Sequence, residues 1–538
     1  MKDLLGEACA RIVLRTTRFS TQLSPAIIGL LLFGLAGLFL SPLTASGATY
    51  YIDFVNGVDT TNGLTQGNAW KHHPYMQGWT GSYTHSTGDK FIFKGGTTWD
   101  HTCLGLSLQA GGNGSAYDYY GVDSTWYSGA SWTRPVFDGQ YVECNTTNNL
   151  YGSLVDGFTH QVSNVIFDGL EICHIMAVSN IWSALVFTGG GGDNVLVTNC
   201  YLHGWQLDTT TYPGTNLSGA QQDDSHGGVI ANFWSRPTNL VVDHCIIENT
   251  ENTNNSVAST RQNGIAVRGM KTLRFSKIHD VGAALLGGSD VHDNEVYNVD
   301  WPVAGFNDPA AYGFVNGYHA NLFYLMGPGR CYNNLVHDYG NGSSPIYVEP
   351  NWGAADTNSA IYCYNNVVYG HQSSQLAFEI DAEGMSGPAG HVYCYNNTVV
   401  NYCSGVAGFH VINRSSSSIQ LASLVLINNQ VIGTNAALTD AKSSTCASTS
   451  SAYDIVQSVE TATGQGYVLA NKYAPTSLSG STVGTGTNLT SLNLFITDIM
   501  SVGRPFLGAW DIGAYQFAAM VLQVPPAPTG LVVIQIAQ

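Results

Sequence analysis

Basic residues are scarce in this chain. Lys and Arg together number 19 against 37 Asp and Glu, and charged residues of both signs make up only 10% of the sequence. Proteins that bind nucleic acid neutralise phosphates with Lys and Arg, so this composition argues against a nucleic acid partner. Strong helix formers such as Lys, Glu and Arg are few, whereas Gly, Ser, Thr and Asn abound, which is typical of an all-β protein.

Several chemical signatures are also missing. None of the 11 cysteines belongs to a CxxC pair or another zinc-type spacing, so zinc is not indicated. No phosphate-binding loop, cofactor fingerprint or nucleophile motif appears. Any activity must therefore depend on residues that the fold brings together.

The N-terminal segment has the order of an export signal. Its basic residues are Lys2, Arg11, Arg15 and Arg18. An apolar run from Ala26 to Leu40 follows, and then the small residues Ala45-Ser-Gly-Ala48. This order predicts a signal peptide over residues 1–48, a secreted or cell-surface chain, and no membrane contact after cleavage. The alternative is a retained anchor, although the run is shorter than the roughly 20 residues of a spanning helix.

The predicted mature chain is strongly acidic. Residues 1–48 hold four of the 19 basic and two of the 37 acidic residues, so residues 49–538 carry 15 basic and 35 acidic residues, a net charge of −20. Ten of the 11 cysteines lie in this part, in a compartment where disulfides can form, and their pairing stays open.

An eight-residue pattern recurs along the chain. It consists of apolar, any, apolar, two polar residues, Asn or Cys, any, apolar, and it occurs at 195–202, 240–247, 361–368, 392–399 and 424–431. The period-two alternation predicts strands, and the Asn or Cys marks a sharp bend between two strands. A shorter strand, such as Ile346–Glu349, precedes most copies. The repeating unit is strand, turn, strand, bend, strand and variable loop.

Such a unit cannot bury its apolar face alone, so the repeats predict a solenoid. We expect an all-β, right-handed parallel β-helix with three strands per coil, in which equivalent residues stack about 4.8 Å apart. The bend residues would form an amide ladder through Asn294, Asn334, Asn366, Asn397 and Asn429, with Cys200 and Cys245 in earlier coils. A second stack, of small apolar side chains in the core, would hold Cys331, Cys363 and Cys394.

This pattern resembles the pectin-lyase-like superfamily of right-handed parallel β-helices over roughly residues 50–517. The opening Tyr50-Tyr-Ile-Asp53 and the closing Trp510-Asp-Ile-Gly-Ala-Tyr515 look like those of bacterial secreted β-helix proteins. We therefore expect one β-helix domain over residues 49–517. Residues 518–538 look like a linker and the start of a truncated fibronectin type III module, and a frayed tail is the alternative.

The resemblance implies where a site would lie. In the families that this chain resembles, sugar polymers run along the outer face of the first strand of each coil. If Ile265, Ile346, Leu376 and Ala407 are equivalent inward positions, the residues three places further point outward. These are Arg268, Glu349, Glu379 and His410, and Asp381 lies one outward step beyond Glu379. We take these five residues as the catalytic candidates.

Three readings of the acidic residues Glu349, Glu379 and Asp381 stay open. Paired carboxylates at strand spacing are suited to general acid and base catalysis, and a separation near 5 Å is typical of retaining glycosidases. The same residues are candidate calcium ligands, since hard cations prefer carboxylate oxygens, and no other cofactor is indicated. The third reading is a solvated row of polar side chains on an exposed sheet.

Further residues are candidates for substrate contacts. Asp223, Asp224 and His226 precede a first strand, and His319 has the equivalent place in a later coil; the histidines are interpreted as substrate contacts or as structural turns. Aromatic residues in or near the loops are candidates for stacking on sugar rings. They include Trp205, Trp301, Tyr339, Tyr347 and Trp352.

Taken together, these features favour a secreted carbohydrate-active β-helix protein, either a polysaccharide lyase or a glycoside hydrolase, whose partner is a polysaccharide or cell-surface glycan. In a lyase, Arg268 with Lys271 nearby would neutralise a substrate carboxylate or abstract a proton. The rival interpretation is a non-catalytic adhesin or structural rod. The sequence does not indicate an oligomeric state.

Overall fold

The structure is a computed structural model, and its described residues are 47–142, 153–157, 159–177, 183–188, 192–207, 226–231, 239–250, 265–299, 322–339, 344–350, 358–370, 377–381, 390–401, 405–412 and 420–517. The chain divides into two units after Gly47, and the unit that begins at Ala48 contains the described strands. Apart from Gly47 and Ala48, the predicted signal peptide (1–48) and C-terminal module (518–538) lie outside the described residues. Within those residues, no helix has the length and apolar character needed to cross a membrane.

The described chain is built almost entirely of short strands. In chain order these begin with β1 (Thr49–Ile52), β2 (Lys90–Gly95), β3 (Thr98–Asp100), β4 (Leu106–Ser107), β5 (Asp118–Tyr127), β6 (Val136–Asp138), β7 (Ser153–Asp156), β8 (Val165–Asp168), β9 (Glu171–Ala177), β10 (Ser183–Thr188) and β11 (Val195–Thr198). They continue with β12 (Tyr201–Leu207), β13 (His226–Ala231), β14 (Leu240–Asp243), β15 (Ile246–Glu248), β16 (Ile265–Arg268), β17 (Thr272–Arg274), β18 (Lys277–His279), β19 (Ala283–His292), β20 (Glu295–Tyr297), β21 (Phe323–Tyr332) and β22 (Leu335–His337). The last are β23 (Ile346–Glu349), β24 (Ala360–Tyr364), β25 (Val367–Tyr369), β26 (Phe378–Asp381), β27 (His391–Tyr395), β28 (Thr398–Asn401), β29 (Phe409–Ile412), β30 (Ser423–Ile427), β31 (Gln430–Gly433), β32 (Thr449–Ala452) and β33 (Ile455–Gln457). The helical segments are α1 (Val459–Gly464) and 3₁₀ turns at Gln66–Asn68, Leu469–Asn471 and Thr490–Leu492.

The strands stack in three rows, one strand of each row per coil. The first row runs β4, β7, β10, β13, β16, β19, β21, β23, β26, β29, and the third row runs β3, β6, β9, β12, β15, β18, β20, β22, β25, β28, β31, β33. The second row is formed by β1, β2, β5, β8, β11, β14, β17, β19, β21, β24, β27, β30 and β32. Because β19 and β21 each continue from the first row into the second, past the left-handed Gly287 and Gly327, these two rows form one 21-stranded sheet beside the 12-stranded third.

All of the described strand pairs within these rows are parallel, which confirms the predicted right-handed parallel β-helix with three strands per coil. Inward residues of successive coils stack in the core. In the first row they include Val267, Leu285, Phe323, Ile346 and Phe378, all at most 1% exposed. Each such side chain contributes about 1.5–3 kcal/mol through burial, so the stacked core supplies the main stabilising term.

A buried row of asparagines follows the bend between the second and third strands. The Nδ2 of Asn334 donates to the Oδ1 of Asn366 at 3.0 Å, and Asn366 and Asn397 repeat this bond toward the next coil at 3.0 and 2.9 Å. Each Nδ2 also donates to a backbone carbonyl, as Asn366 does to Cys331 at 2.8 Å. These amides therefore satisfy both their neighbours and the bent backbone. In earlier coils Cys200 and Cys245 occupy the position, and their thiols contact backbone carbonyls instead.

The predicted sulfur stack also takes the expected place. Cys331 pairs in register with Cys363, and Cys363 with Cys394, and all three are fully buried in the core. None of these three cysteines forms a disulfide. These three side chains therefore serve as small apolar groups of the core.

The C-terminal segment packs along the outside of the bend. Asn396 donates from Nδ2 to the carbonyls of Asp511 (2.8 Å) and Gly513 (3.1 Å), which belong to the predicted closing motif. Arg504 is 6% exposed and donates to Asn365 Oδ1 at 2.9 Å. Its burial lowers the pKa of the guanidinium to about 10, against the opposing effect of Asp498 and Asp511. The closing motif thus covers the ends of the last coils.

The asparagine row ends at the carboxylate of Asp454, whose burial makes the stability of the fold depend on pH. Asp454 Oδ1 accepts from the backbone N and from Nδ2 of Asn429 at 2.7 and 2.8 Å, while its Oδ2 is buried without a partner among the described residues. Desolvation raises the pKa of Asp454 to about 6, although the bonds from Asn429 oppose the shift. The folded state therefore binds this proton more tightly than the unfolded state.

We expect Asp454→Asn to remove a pH-dependent loss of stability. Since the folded pKa exceeds the unfolded value, the free energy of unfolding of the wild type falls as pH rises from about 4 to about 6, by about 1–3 kcal/mol. The variant should lack this step. The difference in free energy of unfolding between the variant and the wild type should therefore favour the variant more at pH 8 than at pH 4. Urea unfolding followed by circular dichroism measures this, with Asp123→Asn as the control. Identical pH profiles for wild type and Asp454→Asn would contradict it.

Candidate functional site

The outer face of the first row carries the acidic candidates, in a register that differs from the predicted one. Tyr347 pairs with Glu379, and Glu379 with His410, so these three share one outward position. Glu349 pairs instead with Met326, and Asp381 pairs with Ile412, one outward step further along the strands. The prediction that Glu349, Glu379 and His410 are equivalent is therefore wrong.

The error has a simple cause. Ile346 pairs with Phe378, and Phe378 with Phe409, whereas the sequence analysis aligned Ile346 with Leu376 and Ala407. The two alignments differ by two residues. A shift of two keeps every side chain on its own face of a strand, so the prediction of which residues point outward is unaffected.

The acidic residues are buried although they point outward. Glu349, Glu379 and Asp381 are 1%, 4% and 0% exposed. This contradicts the interpretation of the three residues as a solvated row on an exposed sheet. Burial of a carboxylate carries a large desolvation cost unless donors or charges offset it, so the immediate partners of each carboxylate matter.

Tyr347 links two of the carboxylates. Its Oη lies 2.6 Å from Asp381 Oδ2 and 3.1 Å from Glu349 Oε1. Two bonds of ordinary length to one oxygen put the two carboxylate oxygens within about 6 Å of each other. Burial, and then the charges of Glu349 and Asp381, raise the pKa of Tyr347 far above its usual value. The phenol therefore remains a hydrogen-bond donor to this carboxylate pair at every practical pH.

Glu379 and His410 have partners that the sequence analysis missed. Ser344 donates from Oγ to Glu379 Oε2. His410 Nδ1 lies 2.5 Å from Asp440 Oδ2, and the backbone N of Val411 donates to Asp440 Oδ1 at 2.9 Å. Although burial opposes it, the bond from His410 together with that from Val411 lowers the pKa of Asp440. An ionised Asp440 thus orients the imidazole.

Asp440 was detectable in principle. A β-bridge pairs Phe409 with Thr439, so Asp440 continues the outward position of Glu379 and His410 into the next coil. Its sequence context, Leu438-Thr-Asp-Ala441, shows little of the apolar alternation of the other first strands. The signal was therefore its position one coil after His410 and not any local pattern.

Arg268 lies on the same outer face but at a distance. It pairs with Ile230, and two further strands of the first row separate its strand β16 from β23. At strand spacing this places its backbone roughly 14 Å from that of Tyr347. An apolar cluster occupies the face in between, with Tyr324 packed edge-on against Tyr347 at 4.6 Å between ring centroids. The structure does not bring Arg268 to the carboxylates.

Six of the other predicted substrate-contact residues have side chains outside the described part of the chain. Asp223, Asp224, Trp301, His319 and Trp352 lie outside the described residues. The backbone of His226 begins β13, and its side chain is likewise outside the described part.

The predicted sugar-stacking role of three aromatic residues is wrong, because their side chains are buried. Trp205 and Tyr339 are core residues, 0% and 2% exposed, and Tyr347 is 1% exposed beneath the outer face. None of the three presents an exposed ring for stacking on a sugar.

The three carboxylates do not form a compact cation site. Among the described residues, Glu349, Glu379 and Asp381 do not form a group whose ligand atoms all lie within 4.8 Å of one another. Calcium takes six to eight oxygen ligands at about 2.3–2.6 Å, so a calcium ion held by these three residues would require them to move closer. In the present arrangement, Tyr347 donates to Glu349 and Asp381, and Ser344 donates to Glu379.

No family model matches the chain, and no curated protein matches it. Among solved structures, the chain is similar to the pectate lyase Pel9A, with 13% identity, a TM-score of 0.44, and coverage of 88% of this chain and 98% of that chain.

Two further structures are similar. The GH136 lacto-N-biosidase from Eubacterium ramulus has 10% identity, a TM-score of 0.36, and coverage of 77% of this chain and 68% of that chain. A rhamnogalacturonan lyase has 12% identity, a TM-score of 0.34, and coverage of 77% and 88%. The assignment of a function to this chain therefore depends on its own residues.

The shared tyrosine leads to a stability prediction. We expect Tyr347→Phe to lower the free energy of unfolding by about 1–3 kcal/mol at pH 8, because two buried carboxylates lose a common donor. The loss should be smaller at pH 4, since a protonated carboxyl group can itself donate. Thermal or urea unfolding at both pH values measures the difference.

The matched control for this prediction is Tyr395→Phe. Tyr395 is 4% exposed and packs among aromatic side chains of the second row, away from the carboxylates. Equal effects of the two substitutions at both pH values would show that the hydroxyl of Tyr347 does not support the acidic pair.

Proposed function

We propose that this chain is a secreted carbohydrate-active β-helix enzyme, specifically a glycoside hydrolase whose site is built around Glu349, Asp381 and Tyr347. The signal-like order of residues 1–48 supports export. A glycan is the proposed partner, and the net charge of −20 for residues 49–538 makes a neutral glycan more suitable than a polyanionic one.

The observation that carries the proposal is the burial of three carboxylates in two adjacent coils. Glu349 lies on β23, and Glu379 and Asp381 lie on β26, in a chain with only 10% charged residues. Acids buried this closely lower the stability of a fold, and a stacked apolar core has no structural need for them. Buried, clustered carboxylates of this kind are typical of catalytic sites.

The hydrogen bonds suggest how the roles are divided. Asp381 has the shorter bond to Tyr347, 2.6 Å against 3.1 Å for Glu349, so we assign Asp381 the part of nucleophile. Glu349 is then the acid that protonates the leaving oxygen and later activates water. A carboxylate separation of about 5–5.5 Å is expected for retention of configuration, which fits the limit set by the shared phenol.

The side chains next to the carboxylate cluster that are exposed to solvent belong to the coils that follow it, and they are His410 and Asp440. His410 is 28% and Asp440 38% exposed, whereas the three carboxylates of the cluster are almost fully buried. We assign the His410–Asp440 pair to substrate positioning, with Glu379 between this pair and Tyr347. Substrate would approach from the His410 side.

Hydrolysis is favoured over lyase chemistry by the residues of the described strands around the cluster. β-Elimination on a uronate needs a cation or a cationic side chain to neutralise the substrate carboxylate. Around the cluster, the described first-row residues of β21 (323–326), β23, β26 and β29 include neither Lys nor Arg. The backbone of Arg268 is roughly 14 Å from that of Tyr347 at strand spacing.

The test is a screen of the purified chain against neutral and uronate-containing plant and algal polysaccharides, with and without calcium. We expect new reducing ends on a neutral glycan, without the absorbance of unsaturated products. Glu349→Gln and Asp381→Asn should each lower kcat by at least about 100-fold. Asp156→Asn is the control, because Asp156 is a 2%-exposed acid on the same row, far from the cluster.

Each other outcome has a definite meaning. Absorbance from unsaturated products would show a lyase and overturn the hydrolase assignment. Activity that survives both Glu349→Gln and Asp381→Asn would place the site elsewhere. Failure on every polysaccharide by a folded wild-type chain would favour the non-catalytic adhesin or rod.

A further inference from the structure

A second cluster of reactive side chains lies on the outer face of the third row, far from the acidic site. Cys173 and His174 belong to β9, and His203 belongs to β12 of the next coil. Their coil precedes that of Glu349 by six coils along the first row, which is roughly 29 Å at strand spacing.

The parallel register brings the three residues together. Cys173 pairs with His203, so thiol and imidazole occupy the same outward position in successive coils. One ligand atom from each of Cys173, His174 and His203 lies within 4.8 Å of the other two. Cys173 and His203 are 1% and 4% exposed, and His174 is partly buried.

The backbone of His174 is shaped to place its ring in this group. In a regular strand the residue after Cys173 would point into the core, but His174 has φ 62° and Ile175 takes the inward position. Gly204, Asp280, Asn298 and Asp338 are also left-handed at the equivalent position of later coils, so this turn belongs to the repeat, and here it places the ring of His174 beside Cys173.

Gly204 makes room for that ring in the next coil. Its φ is 71°, and a Cβ at this position would lie 2.6 Å from His174 Cδ2. The two imidazole rings then meet edge to face, with 5.4 Å between their centroids.

Carboxylates orient both imidazoles in the manner of metal-binding histidines. His174 Nδ1 lies 2.7 Å from Asp138 Oδ1, and His203 Nε2 lies 3.4 Å from Glu171 Oε1. A carboxylate on one ring nitrogen fixes the tautomer and makes the other nitrogen a better ligand, which is the usual environment of a metal-bound histidine. His174 would thus offer Nε2, and His203 would offer Nδ1.

We propose that Cys173, His174 and His203 form a binding site for a dication that prefers thiolate and imidazole, of which Zn²⁺ is the typical case. One sulfur and two nitrogens are a poor set for Ca²⁺ or Mg²⁺, which require oxygen ligands. Zn–S and Zn–N bonds of about 2.3 and 2.0 Å put tetrahedral ligands roughly 3.5 Å apart, so the ligand atoms need to approach one another by no more than about 1.3 Å on binding. The fourth position takes water or another exchangeable ligand.

The bound ion would join two coils of the solenoid. Its ligands come from β9 and β12, and the orienting Asp138 comes from β6 in the coil before. Because such a site exists only in the folded chain, metal binding stabilises that state. This inference is independent of the hydrolase proposal, since it involves other residues on another face.

The test uses the full purified chain, stripped of metal with a chelator and then titrated with Zn²⁺ or Co²⁺. We expect one high-affinity ion per chain, a rise in Tm with Zn²⁺, and with Co²⁺ the thiolate-to-cobalt and tetrahedral d–d absorption bands. Calcium should neither displace the cobalt nor raise the Tm by the same amount.

Variants separate this site from adventitious binding by other histidines. Cys173→Ser should abolish the thiolate-to-cobalt band and weaken binding at least about 100-fold, and Asp138→Asn should weaken it about 10- to 100-fold. Cys446→Ser is the control, because Cys446 is a buried thiol elsewhere in the core. If Cys173→Ser does not fold, His174→Gln provides the same comparison at a partly exposed position. Cobalt spectra without a thiolate band, or equal binding by Cys173→Ser and the wild type, would overturn the proposal.

Discussion

The hydrogen bond from one asparagine amide to the next, repeated between coils, is the constraint on which the rest of the structure depends. At each bend the chain must turn sharply in the interior, where unpaired backbone groups are costly. The amide of Asn366 meets this need by donating both to the carbonyl of Cys331 and to Asn397. The bond forms only when adjacent coils are in register, so from Asn294 to Asn429 it reinforces the alignment that the paired strands set in every coil.

This alignment determines which side chains become neighbours. Residues far apart in the sequence are brought to one position in successive coils, as Glu379 and His410 are on the first row and Cys173 and His203 on the third. The loops between coils vary in length without disturbing this arrangement, because each strand row is bonded independently of them. Both proposed sites are therefore products of stacking and not of local sequence motifs.

The repeat made the fold predictable from sequence, since stacking follows from strands that cannot bury their apolar faces separately. The second strands were also aligned correctly: Cys331, Cys363 and Cys394 share a position because an Asn marks each copy. The first strands lack such a marker. In Leu376-Ala-Phe378, both Leu376 and Phe378 are apolar and two residues apart, so the sequence pattern allows either of them to be the inward partner of Ile346. In the structure this partner is Phe378.

The sites were predictable in part for related reasons. Glu349, Glu379 and Asp381 were identified from the alternation of inward and outward residues along a strand. Their burial and the bridging position of Tyr347 depend on three-dimensional packing, which this alternation does not show. Asp440 and Ser344 lie in segments without the repeat pattern, and His174 was hidden because its left-handed backbone breaks the alternation on which the sequence analysis relied. Spacing rules for zinc assume ligands on one local turn, and they do not apply to ligands on successive coils.

The passage of β19 and β21 through both the first and second rows has a consequence for the loops of the solenoid. In these two coils the chain turns the corner within the strand, at the left-handed Gly287 and Gly327, and the register between the two strands shifts there. Other coils place a longer segment at this corner, such as residues 382–390 between β26 and β27. The corner at β19 and β21 therefore carries no loop, and it separates the loops of the coils that hold Cys173 from those of the coils that hold Glu349.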